Sequence, residues 1–348
     1  MSNEKKIIEC VPNFSEGRNE ETIKAIAQSI ENIPHIALLN IEADADYNRT
    51  VATFVGEPLN VLQAAIASTK VALERIDMEH QKGEHPRIGA VDVVPFIPLN
   101  HATMDDCVSL ARGYGKIISD RFDVPVYLYE CAATQPHRKN LAAIRKGEYE
   151  GLPKKLSDPN WYPDFGKPFF NKKSGAIVTG ARNILIAYNI TLSTSKRHIA
   201  HEIALRIRER GFPLKDQFGN VQRDNEGNII TIPGALKCVK AIGINLERLH
   251  KTQVSTNLIN YKVTSLHHVF EEVKRQADLF NVDVIGSEIV GLVPLDALLQ
   301  AGRFYSGNNS LSENQLVESA IYNLGLNYHS HFVPSEKIIE YKLQQFND

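Results

Sequence analysis

The densest group of residues able to do acid–base chemistry is Gly83-Glu84-His85-Pro86-Arg87-Ile88-Gly89, followed by Val91-Asp92-Val93. A glycine-bounded loop here feeds a short apolar run, so His85 would sit at a sheet edge with a carboxylate and a guanidinium close by. Pro86 holds the residue before it in an extended form, which limits where the imidazole can point. An imidazole titrates near neutral pH and can take and return one proton during an acyl-type transfer. The competing reading is a loop histidine held by a structural hydrogen bond, since the chain has twelve histidines. His80, Glu84, His85 and Asp92 could also suggest a metal, but the spacing is not HExxH and no further ligand pair follows, so no metal is expected. His198, His201, His267 and His268 fall on expected helices and read as surface or interface packing. Ser15, Ser255 and Cys131 lack a nucleophile-elbow setting, which disfavours a covalent mechanism. No GxGxxG and no GxxxxGK[ST] is present, so no nucleotide is implied.

The elements that would position these groups alternate between strands and helices. Ile7 to Val11 reads as a buried strand, and Asn13, Ser15 and Gly17 as a turn-rich segment. Glu20 to Ile33 has helical spacing at Ile23, Ile26, Ala27 and Ile30. Strands follow at Ile36 to Ile41 and Thr50 to Val55, joined by a polar turn from Asp44 to Asn48. A helix from Pro58 to about Ile76, a strand from Ala90 to Pro98, a helix from Met104 to Arg121 and an edge or extra strand from Asp123 to Tyr129 complete the half. The second half repeats the order: strand Ile184 to Ile190, helix His198 to Arg210, strands Leu236 to Ile244 and Gln253 to Val263, helix Leu266 to Phe280, strand Val282 to Val293, and a helix starting at Leu295 to Leu299. Each half is β-α-β-β-α-β and then a helix. The expected fold is therefore α+β, with two ferredoxin-like βαββαβ subdomains related by duplication, their sheets covered by helices. The boundaries expected are 1–181 and 182–348, the second with a helical tail.

Between them, a connecting region from about 130 to 181 holds Trp161-Tyr162-Pro163-Asp164-Phe165-Gly166, then Phe169 and Phe170. Such an aromatic loop could line a pocket for a flat ligand or could simply be packed. Asp224 to Asn228 reads as a surface hairpin turn.

The 348 residues are 43% hydrophobic and carry a net charge of -2. That is enough to bury a core, and the dispersed basic residues disfavour nucleic acid. No apolar run approaches the ~18 residues that span a bilayer, and nothing resembles a signal peptide, so the expectation is a cytoplasmic protein. Cys10, Cys107, Cys131 and Cys238 are scattered and expected to be reduced.

Several segments together carry a resemblance: Glu9-Cys10-Val11-Pro12-Asn13-Phe14-Ser15-Glu16-Gly17, Asn48-Arg49-Thr50-Val51, Thr53-Phe54-Val55-Gly56, the His85 loop with Pro95-Phe96-Ile97-Pro98, Val124-Pro125-Val126-Tyr127-Leu128-Tyr129, Pro163-Asp164-Phe165-Gly166, Gly180-Ala181-Arg182 and Gln253-Val254-Ser255-Thr256-Asn257-Leu258. From Ile8 to about Tyr341 the chain resembles the formiminotransferase family, including the N-terminal part of the bifunctional formiminotransferase-cyclodeaminase. The resemblance implies transfer of a formimidoyl group between 5-formimidoyltetrahydrofolate and L-glutamate, as in histidine degradation. Tetrahydrofolate would be a co-substrate, and His85 the catalytic base. It also implies a folate-contacting loop of Gly166, Lys167, Pro168, Phe169, Phe170, Asn171, Lys172, Lys173, Ser174 and Gly175. The two consecutive lysines depart from the family pattern. Glu42 takes the place of a family carboxylate, with Asp44 close by and either able to serve. Arg49, Arg87 and Arg182 are candidates for substrate carboxylates or structural ion pairs, and Asp92 for support. A homodimer is expected, and, since the chain ends soon after Tyr341, any cyclodeaminase is expected to be a separate partner. The alternatives are a glutamate formyltransferase using 5-formyltetrahydrofolate and a non-catalytic folate-binding protein.

Overall fold

The structure, a computed structural model, describes residues 5–45, 47–83, 85–246, 249–307 and 310–345. Glu84, named above, lies outside them. The chain divides into two compact units, residues 1–183 and 184–348.

The first unit runs β1 (Ile8–Cys10), β2 (Asn13–Phe14), α1 (Glu20–Glu31), β3 (Ile36–Asp44), β4 (Arg49–Gly56), α2 (Pro58–Arg75), β5 (Val91–Pro98), α3 (Met104–Phe122), β6 (Val126–Glu130), α4 (Leu141–Arg145), α5 (Glu148–Leu156) and β7 (Ile177–Ala181). Local chemistry sets the helix starts. Asn19 caps α1 through Thr22 N, Pro58 opens α2, and Thr103 with Asp106 forms a capping box on α3. Pro12 interrupts what would be one strand, and β1 and β2 both lie between β4 and β5. The antiparallel order β3-β4-β1/β2-β5 is the βαββαβ pattern read from the sequence. β7 and then β6 extend it in parallel, giving seven strands.

β7 adds a strand that the sequence reading did not place. The connecting region read from about 130 to 181 ends in a strand inserted between β5 and β6. Ile-Val-Thr-Gly-Ala does not alternate because all five residues are buried, so no period-two signal marks it. The α1 to α3 face buries Ile8, Cys10, Phe54, Phe96, Val126 and Ile177 in one core. On the opposite face a smaller core of Ile88, Val93, Tyr127, Ile144, Leu152 and Val178 lies beneath α4 and α5.

The second unit runs β8 (Ile186–Leu192), α6 (Arg197–Ile207), β9 (Phe212–Pro213), β10 (Thr231–Ile232), β11 (Val239–Leu246), β12 (Lys251–Leu258), α7 (Leu266–Asp278), β13 (Val284–Val290), α8 (Leu295–Ser306), α9 (Glu313–Asn323), α10 (Pro334–Lys337) and α11 (Ile339–Gln345). Its sheet order, β11-β12-β8-β13, repeats the first unit's four-stranded core and is antiparallel throughout. The hairpin-like segment closed by β9 and β10 carries the expected turn, in which Asp224 Oδ1 accepts from the backbone N–H of Glu226 and Asn228.

Candidate active site

The loop from α2 to β5 carries His85 and is docked at both ends. Asn48 anchors the first end from the β3–β4 turn, where it adopts a left-handed φ of 48°. Its Oδ1 accepts from Gly17 N at 2.8 Å, its Nδ2 donates to Lys82 O at 2.9 Å, and its carbonyl accepts from Gln81 Nε2 at 3.1 Å. Gly83 is required there, because a Cβ would stand 2.3 Å from Tyr47 O. Gln81 Oε1 then accepts from Arg87 Nε at 3.0 Å, tying the loop across His85.

Past the histidine, the loop meets the end of the 166–175 segment. Ala90 N donates to Ser174 O at 2.9 Å, and Ala176 N to Ile88 O at 3.0 Å. Gly89 and Gly175 permit this contact: a Cβ on either would approach a backbone oxygen to 2.2 Å. The register between β2 and β5 also shifts here, Asn13 facing Val93 and Phe14 facing Val91, which leaves Asp92 as an extra residue. Bulges of this kind re-aim a side chain. Asp92 is buried, accepts from Ile88 N at 3.1 Å and is ion-paired with Arg145 of α4.

His85 is half-buried and meets the Tyr47 ring edge-on at 6.4 Å. Its pKa is lowered from 6.5 to about 3, first by burial and then by the guanidinium charges of Arg49, Arg145 and Arg87. The ring is therefore neutral at physiological pH. Of the three arginines, Arg87 is already occupied: it pairs with Glu148 at 3.1 Å and with Glu150 at 2.8 Å. That makes it a support of the loop. Arg49 lies over the Tyr47 ring at 5.9 Å and feels the charges of Asp92, Glu42 and Asp44. Glu42 is exposed on β3, opposite Val51, and Asp44 is opposite Arg49. Arg182, at the end of β7, hydrogen-bonds the buried Tyr129 and donates to Asn183 O at 2.9 Å.

In the 166–175 segment, Gly166 has a left-handed φ of 88°. Lys167, Pro168 and Lys172 are exposed, as is Phe169, at 64%. Phe170 packs against Tyr149 at 5.3 Å, and Asn171 Oδ1 accepts from Ser174 N at 3.0 Å. Lys173 Nζ donates to the carbonyl of Glu74 at 3.0 Å, a natural role for a cation near the last turn of α2. The Trp161 segment is packed. Lys155 lies over its ring at 4.7 Å, His137 meets it at 4.8 Å, and Tyr127 Oη donates to Trp161 O at 2.7 Å. Arg138 and Asp164, both buried, pair at 3.0 Å and tie the segment to β6.

The histidine loop, Asp92, Arg49 and the end of the glycine-bounded segment thus meet within the first unit. Residues 7–182 match the formiminotransferase domain, N-terminal subdomain, and residues 187–344 match the formiminotransferase domain. The chain belongs to the formiminotransferase family. It is 40% identical to a glutamate formimidoyltransferase of Streptococcus pyogenes serotype M1, covering 86% of this chain and 93% of that one. A glutamate formimidoyltransferase of Thermoplasma acidophilum is also 40% identical, over 90% of this chain and 96% of the relative. The rat formimidoyltransferase-cyclodeaminase is 47% identical over 97% of this chain, which spans 60% of that protein's length.

Sequence reading missed Arg145, Tyr47 and Gln81. Arg145 is 53 residues from the Asp92 that holds it, so no local spacing signals the pair. His267, read as surface or interface packing, is buried and stacks on Phe304 at 4.4 Å, whereas His198, His201 and His268 are exposed.

Proposed function

We propose that this protein transfers a formimidoyl group between N5 of tetrahydrofolate and the α-amine of glutamate, with His85 moving the proton. The observation that carries the reading is the loop of His85, hydrogen-bonded to the 166–175 segment, with an imidazole that burial and nearby guanidinium charge keep neutral. The names of the two microbial relatives support the same reaction.

Glutamate's ammonium must lose a proton before it can attack the formimidoyl carbon. A neutral His85 can accept it, and the resulting imidazolium can return it to N5 as the folate leaves. A pKa of about 3 makes a weak base, so the free protein is not tuned for this step. Both substrates bring carboxylates. Their charge beside Arg49 and Arg145 offsets the field that depresses His85 and raises its pKa toward the working range. The base is therefore strengthened as the substrates bind. Folate contact is assigned to the 166–175 segment, where the exposed Phe169 offers a flat apolar surface and Lys172 an accessible cation.

The same reading includes a cytoplasmic location, which the four free thiols fit. It includes a homodimer, to be checked by light scattering. A separate cyclodeaminase is the proposed functional partner, by analogy with the fused rat relative.

The test is purified protein with 5-formimidoyltetrahydrofolate and glutamate, and the reverse reaction from N-formimidoylglutamate and tetrahydrofolate. Turnover in both directions is expected. Turnover with 5-formyltetrahydrofolate alone would move the assignment to a formyltransferase. Folate binding without transfer from either donor would leave a binding protein.

A further inference from the structure

His85 lacks the polar partner that several other histidines of this chain have. His80 Nδ1 lies 3.2 Å from Asp77 Oδ2, His137 Nε2 lies 3.1 Å from Asn160 O, and His329 Nε2 lies 2.7 Å from Thr191 Oγ1. The half-buried ring of His85 makes no hydrogen bond and no ion pair among the described residues. A base is ordinarily oriented by a hydrogen bond on its second nitrogen or by a third group beside it. Here the anchors at Gln81 and Ala90 hold the backbone on either side, and Pro86 restricts it further, but none of them fixes the imidazole plane. The ring that does meet it is Tyr47, edge-on, with the centroids 6.4 Å apart and the planes at 82°.

Folding gives no reason for an aromatic ring at position 47. Tyr47 is 48% exposed and belongs to none of the three cores. The β3–β4 turn uses only its backbone: its N–H donates to Asp44 Oδ1 at 2.8 Å, and its carbonyl packs against Gly83. Small polar residues serve such turns. The phenol hydroxyl makes no hydrogen bond among the described residues. What the ring does touch is the Arg49 guanidinium, which lies over it at 5.9 Å, and the imidazole of His85. Buried Asn48 clamps the turn to the histidine loop through Gly17 N and Lys82 O, so ring and imidazole are carried on one fixed backbone. Edge-to-face contact at about 4.5–7 Å is a preferred arrangement of such rings.

We propose that Tyr47 is the positioning residue of His85: its ring, not its hydroxyl, sets the imidazole plane and shields it from water. This rests on the formimidoyltransferase reading for the role of His85 and adds what aims the base. Proton transfer needs the accepting nitrogen within hydrogen-bond reach of the amine, and a misplacement of about 1 Å can cost ~10²-fold. A ring contact also differs from a hydrogen bond in its effect on the proton. A hydrogen-bonded partner selects one tautomer, whereas the Tyr47 ring fixes the plane and leaves both nitrogens free to carry the proton. The same imidazole can then take the proton from the amine and return it to N5.

The experiment measures formimidoyl transfer and an NMR titration of the His85 imidazole in the full chain, for wild type, Tyr47→Phe, Tyr47→Ala, His85→Ala and the double variant Tyr47→Ala/His85→Ala. Tyr47→Phe keeps the ring, so kcat is expected within ~3-fold of wild type, with the imidazole pKa still low. Tyr47→Ala is expected to lower kcat ~10- to 10²-fold while KM for both substrates stays within ~3-fold. In the same variant free His85 titrates above its value of about 3, because burial is the first cause of that depression. A stronger base with a lower kcat separates lost aim from lost basicity. The double variant should be no slower than His85→Ala alone, since the ring acts through the imidazole. The urea midpoint of Tyr47→Ala should match wild type, the ring lying outside the cores; should the turn loosen, Tyr47→Leu keeps bulk without the ring and is expected to show the same loss in kcat. Three results would overturn the proposal: a Tyr47→Phe as slow as Tyr47→Ala, a Tyr47→Ala with wild-type kcat and His85 pKa, or losses that multiply in the double variant. In a protein without transferase turnover, a His85 pKa that rises in Tyr47→Ala and not in Tyr47→Phe would sustain it and overturn the reaction assignment instead.

Discussion

The two units share one four-stranded order, yet their histidines stand in different chemistry. In the first, β7, β6, α4 and α5 are added to the core, and these additions bring Arg145, Glu148 and Glu150 to the His85 loop. In the second, the sheet ends at β13, and the face away from α6 and α7 carries a hydrogen-bonded polar cluster. There Gln253 Nε2 donates to Thr191 Oγ1 at 3.1 Å and to Glu288 Oε1 at 2.9 Å, and His329 Nε2 lies 2.7 Å from Thr191 Oγ1. His329 is held by hydroxyl and amide groups, whereas His85 meets the Tyr47 ring and feels the charges of three guanidiniums. The same scaffold therefore carries different sites, and the difference comes from what is grafted onto its edge.

The sharpest way to break this contrast is to undock the additions. Asp164→Ala leaves Arg138 buried without its carboxylate and should cost ~3–5 kcal/mol in chemical unfolding. Removing Glu288 from the second unit's cluster, as Glu288→Gln, should cost under ~1 kcal/mol, since an amide oxygen can still accept from Gln253.

Next come two glycines. Gly89→Ala and Gly286→Ala both place a Cβ 2.2 Å from another atom, Ala176 O in the first case and Tyr328 Cβ in the second. Each should destabilise by ~1–3 kcal/mol. Only Gly89→Ala should also weaken folate binding, because it alone separates the histidine loop from the 166–175 segment. Equal folate affinities in the two variants would sever that link.

A smaller effect concerns acid. His267 of the second unit is lowered from 6.5 to about 4, by burial and then by His268. Its unfolded form takes up a proton below pH 6.5 that the folded form refuses until about 4, so stability falls as pH drops through that window. Replacing it as His267→Gln should flatten this part of the stability–pH curve, by at most on the order of 3 kcal/mol and by less once solvent screening of the ring is counted. An unchanged slope would show that other groups govern acid unfolding of this unit.

Much of this was legible because the signals are local. The helices of both βαββαβ patterns follow from periodicity and caps, and the His85 loop from glycines bracketing a polar run. β7 escaped because a strand buried on both faces has no alternation. Arg87 could be named from its segment, but its occupation by Glu148 and Glu150 depends on residues 61 and 63 positions away. Arg145 carried no signal at all, being brought to Asp92 only when α4 folds back over the sheet. The tryptophan segment suggested a packed loop ahead of a pocket for a flat ligand, and Trp161 is packed by Lys155, His137 and Tyr127.

The most direct test compares formimidoyl transfer by wild type, His85→Ala and His329→Ala, with folate binding measured on each. The account predicts a loss of ~10²–10⁴-fold in turnover for His85→Ala with folate binding retained, and a change under ~10-fold for His329→Ala. Turnover that survives in His85→Ala, or that collapses equally in His329→Ala, would contradict the assignment of proton transfer to the first unit's histidine.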